Sequence, residues 1–137
     1  PGVVSRHRHA WGLIREQLRD YAGIQWQKSN DPDGDIGYMM RFFPTDDELG
    51  RKLVEALRAE GINAGYRGSG ARPDWHVFRY MYPLFSEHEE NCRDDRCPVA
   101  ADLYDRRISI PLNQWWSDED CNAVAAGINK VLAAYCT

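Results

Sequence analysis

The sequence predicts an α+β fold in two layers, a small three-stranded sheet covered by helices. Three observations carry the prediction. Three segments of modest length read as strands, at 36–43, 62–66 and about 106–112. The last twenty residues repeat apolar side chains at helical spacing. The order is helix, strand, helix, strand, a broken helical region, strand, helix, which is a sheet wrapped by helices. At 137 residues the chain forms one domain, long enough to bury roughly two thirds of its unfolded surface.

The first helix is expected from about Arg6 to Ala22. Trp11, Ile14, Leu18 and Tyr21 fall three and four residues apart, giving one apolar stripe. Its start is unusual, because Arg6-His7-Arg8-His9 places positive charge where the helix dipole is already positive. That favours a longer chain continuing upstream. Gly23 is expected to end the helix. Ile24 to Trp26 is a short extended piece, and "SNDPDGD" (29–35) is a dense run of turn formers. "IGYMMRFF" (36–43) carries apolar residues on both faces, so it belongs in the middle of a sheet.

Pro44 breaks that strand, and "TDDE" opens a helix with Thr45 as N-cap and Glu48 as its capping-box partner. Leu49, Leu53, Ala56 and Leu57 form the buried stripe. Glu48 and Lys52 pair four residues apart on the wet face. Gly61 stops the helix before "INAGY" (62–66). "RGSGARP" (67–73) is a glycine-rich loop, "DWHVFRYMYPLF" (74–85) a short irregular helix, and "SEHEENCRDDR" (86–96) a polar stretch. Cys97-Pro98 begins a short helix through Tyr104, with proline at an early helical position. In "RRISIPLNQWWSDED" (106–120), Ile108, Ile110 and Leu112 share one face of a strand. Ser117 then starts the final helix, with Asp120 as capping partner. Cys121, Val124, Ala125, Ile128, Val131, Leu132 and Tyr135 form its apolar stripe.

Charge excludes some functions. With 17 basic and 21 acidic side chains the net charge is −4, so the chain lacks the basic excess of a nucleic-acid binder. The interposed strands also argue against a helix-turn-helix regulator. No run of about 18 apolar residues is present, so no membrane span is expected. The N-terminus has no apolar signal core, which points to the cytosol. Cys92, Cys97, Cys121 and Cys136 are too scattered for a disulfide framework. His88, Cys92 and Cys97 lack a C-x-x-C pair and a fourth ligand, so reduced thiols are expected rather than zinc.

The catalytic templates are absent: no P-loop, no G-x-G-x-x-G after a strand, no H-E-x-x-H, no G-x-S-x-G. Lys28, Lys52 and Lys130 sit at a strand end or on wet helix faces, so none reads as a desolvated Schiff-base lysine. The best candidate site is the aromatic segment after the glycine-rich loop. Trp75, His76, Phe78, Arg79, Tyr80 and Tyr82 can touch an anionic or hydroxylated ligand there, or they can simply close the core beneath the loop.

"GDIGYMMRFF", then "TDDELGRKLVEALRAEGINAGY", a histidine-bearing aromatic segment, and "CPVAADLYDRRISIPLNQWWSDEDCNAVAAGINKVL" follow one another in an order that resembles a known family. It is similar to the C-terminal small domain of the DegT/DnrJ/StrS aminotransferases, from about Arg6 to Tyr135. These are pyridoxal-phosphate enzymes of the aspartate-aminotransferase fold type, acting on nucleotide-linked keto-sugars and cyclitols. The resemblance implies a mainly antiparallel three-stranded sheet. It also implies a missing N-terminal large domain that supplies the Schiff-base lysine, the aspartate on the pyridine nitrogen and most phosphate contacts. Pyridoxal phosphate then belongs to the intact enzyme, and none is expected on this chain alone. Glutamate or glutamine would be the donor, and the intact enzyme a homodimer. The small domain would form a wall of the substrate cleft, with His76, Tyr66, Arg67 and Trp75 as its substrate-side residues. The alternative is a stand-alone, non-catalytic binding protein derived from that domain.

Overall fold

The computed structural model describes residues 2–69 and 97–136. Four helices and four strands alternate along them: α1 (Gly2–Gln17), β1 (Ile24–Trp26), β2 (Met39–Pro44), α2 (Asp47–Ala59), β3 (Gly65–Tyr66), α3 (Pro98–Arg106), β4 (Ile108–Pro111) and α4 (Asp118–Tyr135). The strands form one sheet in the order β1-β2-β4-β3, and all three pairings are antiparallel. The α+β class and the antiparallel sheet hold. The count of three strands does not, because Ile24–Trp26 pairs fully with Phe42–Pro44 as a fourth strand. Three residues are too few to show the alternation by which strands are recognised in sequence.

Alternation along β2 and β4 sorts the side chains. Met40 and Phe42 on β2, with Ile108 and Ile110 on β4, are buried. The intervening Arg41, Phe43 and Ser109 are only partly buried. Successive side chains of a strand point to opposite faces, so one face carries the core. α1, α2 and α4 cover that face. Ile14 from α1, Leu53 and Leu57 from α2, and Ile128 and Leu132 from α4 are fully buried against Phe42, Ile108 and Ile110. Between α1 and α4 a polar seam closes the edge. The Asn129 side chain donates to the Gln17 carbonyl at 2.8 Å, and its oxygen accepts from the Tyr21 hydroxyl at 3.1 Å.

Several expected boundaries move for local reasons. α1 ends at Gln17, yet Leu18 remains buried and Tyr21 packs on the core, so the apolar stripe outlasts the helix. β2 starts at Met39, not at Ile36. Gly37 has φ +71°, and a Cβ there would lie 2.9 Å from Trp11 Cβ, so the chain turns against α1 before it extends. Pro44 is the last strand residue, paired with Ile24, and its carbonyl accepts from Arg106. The α2 N-cap is Asp46, whose carboxylate accepts from the Leu49 amide at 2.9 Å; Thr45 is not the cap. Either side chain can cap a helix, and an anion suits the N-terminal dipole better. The predicted Glu48–Lys52 pair is present at 2.6 Å. The α4 capping box is complete, with Ser117 Oγ accepting from the Asp120 amide and Asp120 from the Ser117 amide. Tyr135, expected in the α4 stripe, is 48% exposed.

The fourth helix breaks the expectation of two clean layers. α3 lies against the other face of the sheet, where Ala100, Leu103 and Tyr104 meet Gln27, Arg41 and Phe43. Its buried Ala101 stands apart from the main core cluster. Among the described residues the outer face is therefore covered only in part. Cys97, Cys121 and Cys136 are free thiols, the last two buried. Among the described residues no helix is long and apolar enough to cross a membrane.

Candidate functional site

Tyr66 and Arg67 are neighbours in sequence and part company in space. Tyr66 pairs with Ile108, a core residue, and its hydroxyl donates to Asp47 Oδ1 at 2.6 Å at the start of α2. Arg51 holds the same carboxylate through Oδ2 at 2.6 Å. The Tyr66 ring lies over Gly50, where a Cβ would come within 2.6 Å of ring carbons; only glycine leaves room for it. Burial first, and then the bond to Asp47, pushes the Tyr66 hydroxyl above its ordinary ionisation range. The Tyr66 and Arg51 bonds hold the Asp47 carboxyl below its own. Tyr66 is thus tied down as a structural strut.

Arg67 turns to the outer face. Its guanidinium stacks over the Tyr104 ring at 4.5 Å from the centroid. Arg107 stacks over the same ring at 4.8 Å. Gly68, at φ +76°, follows in a left-handed turn, and its amide donates to the Asp105 carbonyl at 3.0 Å. That bond anchors the turn after β3 to the end of α3. Trp75 and His76 lie outside the described residues, as do His88 and Cys92. Two of the four predicted site residues are therefore placed, on opposite sides of the sheet.

Gln27, Arg41, Phe43, Ala100, Leu103, Tyr104 and Arg107 line a shallow groove of about 300 Å³ between α3 and the sheet. Arg41 donates to the Tyr38 hydroxyl at 2.9 Å and to Gln27 Oε1 at 3.4 Å, both neutral acceptors. Sequence reasoning missed Arg41, Tyr104 and Arg107. A signal existed: Arg41 is out of phase with Met40 and Phe42, and Arg107 with Ile108 and Ile110, so both must leave the core face.

A second pocket, about 380 Å³, lies between α1 and the 29–37 loop, lined by Trp11, Gly12, Pro32 and Gly37 among others. Its one arginine, Arg8, is already engaged by the carbonyls of Asp33 and Asp35. Among the described residues no cluster of three or more histidine, cysteine or carboxylate side chains is placed to hold a metal.

The three lysines decide what carbonyl chemistry this chain can host. Lys52 is paired with Glu48, which holds its ammonium above the usual range, and Lys130 is paired with Glu60 at 2.7 Å. Lys28 is exposed beyond β1. An aldimine-forming lysine needs a desolvated site that lowers its pKa. All three are exposed, and Lys52 and Lys130 are ion-paired, so these residues do not fit a lysine-anchored aldehyde cofactor.

The fold has clear relatives among solved structures. The aminotransferase TlmJ from Streptoalloteichus hindustanus superposes with a TM-score of 0.65 at 19% identity, over 96% of this chain and 32% of that one. The 3-amino-5-hydroxybenzoic acid (AHBA) synthase gives 0.64 at 17% identity, over 96% of this chain and 34% of its own. At these identities the likeness is one of fold, and the chain spans about a third of each relative. No curated protein sequence matches it. The family model described as the DegT/DnrJ/EryC1/StrS aminotransferase family matches residues 2–129, which is nearly the whole chain. By that match the chain belongs to the DegT/DnrJ/EryC1/StrS aminotransferase family.

Proposed function

We propose that this chain is the C-terminal small domain of a pyridoxal-phosphate aminotransferase acting on a keto-sugar, nucleotide-linked or cyclitol-like. In this reading it walls one side of the substrate cleft and is not catalytic alone. The family match over residues 2–129 is the observation that carries it. The exposed, paired lysines support the same reading, since the reactive amine must come from elsewhere. A large domain of the same enzyme would supply the lysine and the cofactor's ring and phosphate contacts. When bound there, pyridoxal phosphate supplies the electron sink for amino-group transfer from glutamate or glutamine.

This chain's own share is binding and orientation. Arg67, stacked on Tyr104, would contribute positive charge toward a hydroxylated or anionic substrate. Tyr66 acts through Asp47 to set the turn from which Arg67 projects. Trp75 and His76 would complete the substrate side of the wall. The intact enzyme would be a cytosolic homodimer.

A cofactor titration tests the reading. The purified chain with pyridoxal phosphate should develop no internal-aldimine absorbance, and borohydride should fix no stoichiometric adduct. One reducible adduct per chain at a single lysine would overturn it. A reading frame that continues upstream into a lysine-bearing domain supports the reading, and a complete frame of this length with its own start would favour a stand-alone binding protein.

A further inference from the structure

We infer that the groove between α3 and the outer face of the sheet is an oxyanion-binding subsite, with Arg107 and Arg41 as its two anchors and Gln27 as a polar neighbour. The inference deepens the cleft-wall reading by naming the chemical class that this wall would hold, a carboxylate or phosphate group of a small ligand.

Several cations of this acidic chain sit beside carboxylates: Arg51 with Asp47, Lys52 with Glu48, Arg106 with Asp102, Lys130 with Glu60. The two arginines that line the groove do not. Among the described residues, neither Arg41 nor Arg107 has a carboxylate within ion-pair distance, although both line one groove. Like charges gathered on one partly desolvated surface repel one another and raise the local potential. An anion bound among them relieves that repulsion.

Geometry supplies the second strand. A guanidinium stacked on a ring spends its flat face and keeps its N–H edges free. Those edges are the part that grips a carboxylate or phosphate through two parallel bonds. Tyr104 thus immobilises Arg107 beforehand, which lowers the entropy lost on binding. Arg41 is braced in a similar way, with its guanidinium 5.4 Å from the Tyr38 ring centroid and bonded to that hydroxyl. Across the strand pair from Arg41 stands Ser109, whose buried Oγ has no partner among the described residues. The floor is apolar, from Phe43 and Leu103, so water competes less for the bound anion.

The test uses the chain itself and needs no cofactor, so its failure is separable from failure of the aminotransferase reading. Arginine Nε–H resonances would be followed by NMR in titrations with inorganic phosphate and, separately, succinate, each against sodium chloride at matched ionic strength. The expected result is saturable movement of the Arg107 and Arg41 signals. Saturation by phosphate alone, by succinate alone or by both supports the site and says which oxyanion it takes. Arg107→Gln should weaken binding about tenfold or more, and Arg107→Lys should restore only part, because the fork is lost while the charge stays. Lys130→Gln, at an exposed position of α4 away from the groove, should leave it unchanged, with circular dichroism confirming that each variant is folded. Shifts no larger than those in chloride, or full binding by Arg107→Gln, would overturn the inference.

Discussion

The two faces of the sheet are built from the same four strands and meet opposite demands. The inner face carries Met40, Phe42, Ile108 and Ile110 under three helices, and none of these side chains is more than 2% exposed. Among the described residues the outer face carries Arg41, Phe43 and Ser109 under one short helix, and all three are only partly buried. A period of two residues produces the division, so a single step along the chain separates a strut from a cation on the outer face. Tyr66 and Arg67 show it most plainly. Stability is concentrated on one face, and the other is left free to carry polar groups that a core could not accept.

The sharpest way to break this contrast is on β4. Ile108→Ala, at a fully buried site, should cost about 2–5 kcal/mol in urea unfolding, from lost transfer energy plus the cavity left behind. A loss below 1 kcal/mol would mean the inner face is not the stability-bearing one. Gly50→Ala comes next. Its methyl would meet the Tyr66 ring at 2.6 Å, so overpacking of about 1–3 kcal/mol should outweigh the helix-propensity gain of about 1 kcal/mol. Near-UV circular dichroism should report the displaced tyrosine.

A smaller effect tests the strut. Asp47 has its pKa lowered in the folded state, so its contribution is present above the unfolded value of 3.8 and is lost as pH falls through the lower folded one. Tyr66 has its pKa raised from 10.0, so its contribution holds below pH 10 and disappears as pH rises through the folded value. The Asp47 side chain is 39% exposed, which screens the interaction. Tyr66→Phe should therefore cost about 0.5–1 kcal/mol at neutral pH. The stability gap between the native chain and Asp47→Asn should close as pH drops from about 5 to 2. A gap that stays constant over that range would remove Asp47 from the account. The smallest effect belongs to the outer face and has the opposite sign: Ser109→Ala should raise stability by up to about 1 kcal/mol, since it removes a buried hydroxyl that has no partner among the described residues. Measured beside Ile108→Ala, it compares the two faces one residue apart.

Much of the fold was legible because it depends on local periodicity. The α2 stripe of Leu53 and Leu57, the α4 stripe from Cys121 to Leu132, and the shared face of Ile108, Ile110 and Leu112 all fall where their spacing places them. β1 was harder, because three residues acquire strand character only by pairing with β2. The cap of α2 was misread because Thr45 and Asp46 are both competent, and the choice rests on where the chain leaves β2. Of the site, Tyr66 and Arg67 were singled out, yet their opposite orientations were not foreseen. Of the groove residues, Tyr104 and Arg107 lie three apart in one stretch, but Arg41 comes from β2 and no local spacing relates it to them.

By itself the sequence determined where α2, α3 and α4 lie, which positions of β4 alternate inward, and which family the order of its segments resembles. These follow from interactions within a few residues, where side-chain period and hydropathy suffice. Only the tertiary structure decided that α3 crosses to the far side of the sheet, and that two arginines, one just after β3 and one just before β4, share one tyrosine. Such encounters depend on packing between distant segments, which the free energy of the whole chain settles and no short window contains.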